Sequence, residues 1–184
     1  MKQGMENRKE TLMWYPEPRY LGAGGEVTAA FRPAEVAPEV ALGPESWLHY
    51  LATGASTDRE FGLYRVQLAP GGGTSTHFHR TVSEAFFVLS GTLRLYDGSA
   101  WVDGKAGDFL YVPIGALHGF RNESDQPAAL LNLFVPGADR EAYFEGLSQL
   151  ASLSDEERLR FFEAHDSYFV DQGGGPATGA APSR

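Results

Sequence analysis

The chain of 184 residues contains no cysteine, which excludes disulfides, thiolate metal ligands and cysteine nucleophiles. Any metal site must therefore use histidine and carboxylate ligands. Basic residues are also few, since 15 Lys and Arg stand against 24 Asp and Glu and give a formal net charge of -9. Because an acidic chain repels phosphate backbones, we expect no nucleic-acid partner.

Long apolar runs are missing as well. No window approaches the length needed to span a bilayer, and the N-terminal MKQGMENRKETLMWYPEP lacks the apolar centre of a secretion signal. We therefore expect a cytoplasmic protein with no membrane partner.

The middle of the chain reads as short strands separated by Gly, Pro, Asp and Ser. The predicted strands are Val27–Phe31, Trp47–Ala52, Phe61–Leu68, Glu84–Leu89, Thr92–Tyr96, Phe109–Val112, His118–Arg121 and Leu130–Val135. Many short strands at regular spacing indicate an all-β sandwich or barrel.

The periodicity changes to helical after residue 136. Asp139 is predicted to cap a first helix, and the S-x-x-E pattern of Ser154 and Glu157 predicts the start of a second. We predict four parts: an N-terminal arm at 1–25, a β-barrel at 26–136, a helical segment at 137–172 and a disordered tail at 173–184.

Histidine and glutamate side chains cluster around one predicted strand. His77 and His79 are two residues apart, so on a strand both side chains point to the same face. Glu84 opens the apolar run that follows them, where a buried carboxylate needs a partner to offset desolvation. A metal ion would be such a partner, because imidazole and carboxylate suit Fe, Mn, Ni, Co, Cu and Zn.

Two spacing patterns then extend this group. The first is G-x5-H-x-H-x4-E-x6-G and the second is G-x5-P-x-G-x2-H-x3-N, formed by Gly71, His77, His79, Glu84 and Gly91, and by Gly107, Pro113, Gly115, His118 and Asn122. Both patterns match the two motifs of cupins without departure, and residues 92–106 separate them. The chain thus resembles a single-domain cupin, in particular the quercetin-dioxygenase-like group.

The resemblance implies a fold and a ligand set. Cupins have a double-stranded β-helix, or jelly-roll, fold, which we expect here together with short C-terminal helices. The family's ligand positions fall on His77, His79, Glu84 and His118, which would hold one divalent transition-metal ion. Glu84 would also serve as catalytic proton acceptor, while Asn122 is expected to be a structural hydrogen-bonding residue.

Strand alternation suggests which side chains flank the metal. Phe86 and Val88 share a face with Glu84, and Phe120 shares one with His118, so these three are the predicted lining of a substrate pocket. An aromatic-lined pocket favours a flat or apolar small molecule. No Lys/Arg cluster accompanies the motifs, which argues against a phosphosugar isomerase.

Three functions remain open at this point. The first choice is a dioxygenase that acts on a small aromatic or enol-type substrate. The second is a metal-dependent isomerase, lyase or cyclase that uses the same ligands without O2. The third is a cupin that binds a small molecule without catalysis.

The aromatic C-terminal segment allows two interpretations. Phe161, Phe162, His165, Tyr168 and Phe169 either cover the barrel mouth or pack on the outer sheet or a second subunit. We favour outer packing, which predicts that removal of residues 154–184 leaves the metal content unchanged. A homodimer is expected from the way cupins pair through their sheets.

Overall fold

The computed structural model describes residues 15–170, so the predicted tail at 173–184 lies outside the described residues. The chain divides into two compact units between Arg32 and Pro33. The described part of the first unit, residues 15–32, contains no helix or strand. The strand predicted at Val27–Phe31 is therefore wrong, because these residues are exposed and have no neighbouring strand to complete a hydrogen-bonded ladder.

Among the described residues, the second unit is built mainly of short strands, and its α-helices lie near the C-terminal end. In the described residues the strands are β1 (Val40–Gly43), β2 (Ser46–Ala52), β3 (Gly62–Leu68), β4 (His77–Phe78), β5 (Ser83–Ser90), β6 (Thr92–Tyr96), β7 (Trp101–Lys105), β8 (Phe109–Val112), β9 (Gly119–Arg121), β10 (Ala128–Val135) and β11 (Tyr168–Phe169). The helices are α1 (Glu141–Gly146) and α2 (Asp155–Ala164), with 3₁₀ segments at Ala55–Thr57 and Leu147–Ser152.

The strands form three antiparallel sheets. The largest has the order β1-β2-β3-β10-β5-β8, the second has the order β7-β6-β9, and β11 pairs with β4. Buried side chains of the first two sheets, among them Phe86, Leu93 and Leu130, meet in one hydrophobic core. The all-β jelly-roll expectation is confirmed. Among residues 15–170, no helix combines the length and apolar character that crossing a bilayer requires.

Alternation along the strands explains how the core is filled. In β3 every second residue from Gly62 to Leu68 is buried, which places Tyr64 and Val66 inside. The turn from β5 to β6 needs Gly91, which has a φ of 73° and whose added Cβ would lie 2.7 Å from the methyl carbon of Ala128. The motif glycine at this position therefore serves the turn.

Of the two predicted helix starts, one is confirmed and the other is wrong. Ser154 forms the predicted capping box with Glu157, whose side chain accepts a hydrogen bond from the Ser154 backbone at 2.8 Å. The prediction that Asp139 caps the first helix is wrong. The N-cap is Arg140, which makes no side-chain cap, and Asp139 instead pairs with Arg59 at 3.2 Å.

Candidate metal centre

The fold brings the four predicted side chains together at one end of the barrel. His77, His79, Glu84 and His118 each offer a ligand atom, and these atoms all lie within 4.8 Å of one another. All four residues are buried. A carboxylate and three imidazoles converge in this way because the first motif pairs with the second at His77 and His118.

Backbone hydrogen bonds hold the two motifs in register. His77 and His118 bridge each other, with both backbone N–H groups donating to the opposite carbonyl at 2.9 Å. The Gly115 backbone N–H donates to the His79 carbonyl at 2.8 Å. Asn122 donates through its side-chain amide to the backbone carbonyls of Leu68 and Gln126, which confirms its structural role.

Each imidazole is oriented by a backbone carbonyl. Nδ1 of His77 lies 2.9 Å from the Ser75 carbonyl oxygen, and Nδ1 of His118 lies 3.0 Å from that of Ala116. Nδ1 of His79 is bonded to the carbonyl oxygen of Asp166. Because a carbonyl oxygen only accepts, each Nδ1 carries a proton, so in the neutral form of each imidazole the lone pair that can bind a metal lies on Nε2.

The Nε2 atoms converge on the carboxylate of Glu84. Its Oε2 lies 2.6 Å from Nε2 of His118 and 3.2 Å from Nε2 of His79. Yet Nε2 of His118 is buried with no hydrogen bond of acceptable geometry within the described residues. A buried polar atom without a partner is costly, and a cation between the ligands would satisfy it. The residues present therefore fit a divalent transition metal.

Burial and neighbouring charges also shift the pKa values of these ligand residues. Burial, followed by the nearby charge of His118, lowers the pKa of His77 well below its ordinary value, so this imidazole is neutral at neutral pH. Burial opposes ionisation of Glu84, but attraction to His118 outweighs it and holds the pKa of the carboxyl well below its usual range. Glu84 in turn raises the pKa of His118 against the effect of burial.

The C-terminal segment contacts the centre directly. Strand β11 pairs with β4 so that Phe169 lies opposite His77, and their rings stack with centroids 5.0 Å apart. The expectation that this segment packs on the outer sheet is therefore wrong. It failed because a two-residue strand leaves no periodic pattern, so its partner cannot be predicted from the sequence.

Asp166 fixes the approach of this segment to the ligands. Its backbone carbonyl accepts from His79, and its carboxylate accepts from the backbone N–H groups of Arg80 and Thr81 at 2.8 and 2.9 Å. The Thr81 hydroxyl adds a further bond at 2.6 Å. We call residues 165–169 the C-terminal hook.

A cavity of about 110 Å³ opens beside the four residues, and both His77 and Glu84 line it. Phe120 lines it too, as expected for the predicted pocket. Phe86 and Val88, also predicted for the pocket, do not line this cavity and are fully buried in the core. They share a face with Glu84 but lie further along β5, where they pack in the hydrophobic core.

Residues outside the motifs complete the cavity. Its other walls come mainly from strands β2, β3 and β10 and from the α1 region, including Leu48, Val66, Leu68, Asn132, Phe134, Arg140, Tyr143, Phe144 and Leu147. Sequence reasoning missed Arg140 and Asn132. Tyr143, Phe144 and Leu147 recur at helical spacing, but nothing in the sequence indicates that these residues close the cavity.

Comparison with known proteins identifies the family. Residues 64–134 match the cupin domain family. The fold resembles that of KdgF from Halomonas sp., with a TM-score of 0.55, 16% identity and coverage of 61% of this chain and 98% of that one. A predicted oxalate decarboxylase from Thermotoga maritima gives a TM-score of 0.52 at 21% identity, covering 59% of this chain and 99% of that one.

Two curated relatives are similar over parts of their sequences. Germin-like protein 5-1 of Oryza sativa subsp. japonica is 34% identical over 106 residues, which are 47% of this chain and 46% of that protein. Quercetin 2,3-dioxygenase of Bacillus subtilis (strain 168) is 26% identical over 87 residues, which are 47% of this chain and 26% of that protein. The chain thus spans about half or less of these relatives. Residues 64–134 of this chain form a cupin domain.

Proposed function

We propose that this cupin is a metal-dependent dioxygenase that acts on a small aromatic or enol-type substrate. The observation that carries the proposal is the position of the cavity, which is lined by Glu84 and His77 on one side and by aromatic rings on the other. A substrate held there lies against the ligand group and away from bulk water. The relative named quercetin 2,3-dioxygenase supports this choice among the reactions that cupins perform.

The four clustered residues would hold the metal through three Nε2 atoms and the Glu84 carboxylate. A bound ion of Fe, Ni, Mn, Co or Cu supplies Lewis-acid polarisation of a substrate oxygen and the electronic means to react with O2. The carbonyl partners of the three Nδ1 atoms keep the imidazoles in place while the substrate enters.

Glu84 has a second task in this proposal. Its depressed pKa keeps the carboxylate ionised but makes it a weak base. An oxygen not held by the metal could accept a hydrogen bond from an enol or phenol, and it would take the proton when metal binding has made that substrate oxygen more acidic. Phe120, Phe134 and Phe144 form apolar walls that hold a flat ring against this carboxylate and exclude water. Binding, orientation and proton acceptance thus come from residues of one cavity.

The test begins with metal analysis of the purified protein by ICP-MS and reconstitution with single metals. O2 uptake is then recorded with flavonols and with single-ring enols and phenols. Substrate-dependent O2 uptake that is lost in His118→Ala supports the proposal. His49→Ala is the matched control, because this histidine lies on β2 outside the ligand group.

The other outcomes separate the alternatives. If the zinc-bound protein converts an enol both with and without O2, the protein is an isomerase, lyase or cyclase and the dioxygenase proposal is wrong. Absence of metal after reconstitution would leave a cupin that binds small molecules without catalysis.

A further inference from the structure

We propose that Arg140 binds an anionic group, so that the ligand of the cavity is a small carboxylic acid with an apolar, single-ring body. The inference rests on the proposed function in one respect, since it places the substrate in the same cavity. It adds the chemical class of that substrate and a residue that selects it.

Arg140 is an unusual member of the cavity wall. It is 4% exposed and lies immediately before α1. Among residues 15–170, no carboxylate oxygen lies within ion-pair distance of its guanidinium. A buried cation without a counter-charge is costly. The cavity therefore offers a place where an anion would be stabilised.

The existing contacts of Arg140 orient its side chain without neutralising it. Nη1 donates to the backbone carbonyl of His165, and both terminal nitrogens lie 3.4 Å from the Ser167 hydroxyl. These acceptors are neutral, and Nε is buried without any partner. The guanidinium thus keeps its full charge and at least one unused donor for a ligand.

Aromatic rings fix the plane of the guanidinium. Its central carbon lies 4.2 Å from the ring centroid of Tyr143 and 4.8 Å from that of Phe134. Such stacking leaves the edge of the planar group available for paired hydrogen bonds to a carboxylate. Lysine lacks this geometry, which is why the identity of the residue matters.

The remaining walls describe the rest of the ligand. They are mostly apolar, as expected for a hydrocarbon or aromatic body. The cavity of about 110 Å³ is smaller than the apolar cavity of about 150 Å³ that holds a benzene molecule, so it takes at most one small ring and excludes a three-ring flavonol. The side-chain oxygen of Asn132 is buried without a partner and can accept from a ligand hydroxyl.

The net charge of the cavity also favours an anionic ligand. Glu84 belongs to the ligand group, so its negative charge faces the metal site and the imidazoles. With a divalent cation bound there, the cavity carries a net positive charge to which Arg140 contributes. An anionic ligand neutralises this charge, whereas a neutral ligand leaves it uncompensated.

Benzoate and benzamide form the probe pair, because they have the same ring and size but differ in charge. Calorimetric titrations use the full chain in metal-loaded and metal-free forms, without turnover. We expect benzoate to bind the wild-type protein at least about ten-fold more tightly than benzamide, as paired charge-assisted hydrogen bonds predict. Arg140→Met should abolish this preference, and Arg140→Lys should restore only part of it.

Arg65→Met is the matched control, since this arginine stacks on Trp47 at 5.1 Å and does not line the cavity. It should leave the benzoate preference unchanged. Equal binding of the two probes to the wild-type protein, or binding of neither, overturns the inference even if an Arg140 variant fails to fold. The inference is also overturned if the benzoate preference is lost in the metal-free protein but survives in metal-loaded Arg140→Met. The metal, and not Arg140, would then bind the carboxylate. O2 uptake is measured separately, so either proposal can fail without the other.

Discussion

The hydrogen bond from His79 to the C-terminal hook leads to a testable link between the hook and metal affinity. Asp166→Gly removes the carboxylate that anchors the hook to Arg80 and Thr81. Asp166 has a φ of 54°, a conformation that glycine adopts without strain. The substitution therefore removes the three hydrogen bonds and adds no backbone cost in the folded state.

The expected loss of metal affinity depends on how strongly those bonds hold the hook. Burial raises the pKa of the Asp166 carboxyl, but the bonds from Thr81 and Arg80 outweigh burial and hold it below its usual value, so the carboxylate is ionised. Hydrogen bonds to charged groups contribute about 1.5–3 kcal/mol each when shielded, and less where water competes, as it does here. With the hook loosened, His79 loses its carbonyl partner for part of the time. Loss of such an outer-shell partner typically weakens metal binding about ten- to a hundred-fold, and we expect the lower figure.

The assay is a competition titration of Zn²⁺ or Co²⁺ against a chromophoric chelator, which gives the dissociation constant directly. Asp58→Gly is the matched control, because Asp58 also has a left-handed backbone, with a φ of 52°, and lies outside the ligand group. Thermal melts of both variants without metal separate a loss of affinity from a loss of folding. Affinity of Asp166→Gly within a factor of about two of the wild type would refute the positioning role of the hook.

Four further substitutions, in three experiments, test the rest of the structure. Glu84→Gln should retain some metal through the imidazoles but lose substrate-dependent O2 uptake; uptake at the wild-type rate would exclude Glu84 as proton acceptor. Ser154→Ala removes the capping box of α2 and should lower the free energy of unfolding by about 1 kcal/mol in denaturant titrations, and an unchanged midpoint would contradict that role. Gly91→Ala should destabilise the chain more than Gly107→Ala does, by about 1–3 kcal/mol, in the same titrations. Both glycines have positive φ, but only the added Cβ at Gly91 meets a carbon at 2.7 Å, so equal losses would show that strain alone decides.

The ligand cluster could be predicted because its information is local. The spacing of His77 and His79 follows from the two-residue period of a strand, and the motif that contains His118 has its own fixed pattern. That His118 joins the other ligands was implied by the resemblance to cupins. Most central strands, such as β3 and β10, also show clear apolar alternation or apolar runs. These elements could be predicted because each one carries its own periodic signal.

Other strands could not be predicted because long-range pairing defines them. Strand β7 has the sequence WVDGK, in which Asp and Gly weaken any strand signal, and it forms by pairing with β6. Strand β11 has only two residues and exists through its pairing with β4. Arg140 carries no motif, and its importance comes from the rings and the cavity around it.

The parts of the site that could not be predicted have different structural roles. The two motifs bring the ligand atoms together, but they do not form the whole wall of the cavity. They also provide no hydrogen-bond acceptor for Nδ1 of His79. The α1 region supplies the missing wall and the only arginine among the cavity-lining residues, and the hook supplies the carbonyl for His79. Arg140 joins the two, since it donates to the backbone of His165 at the start of the hook. Because one side chain contacts both the cavity and the hook, binding of an anion at Arg140 should also stabilise the hook. Benzoate should therefore tighten metal binding in the wild-type protein, and tighten it less in Asp166→Gly, where only the direct attraction between the anion and the metal remains.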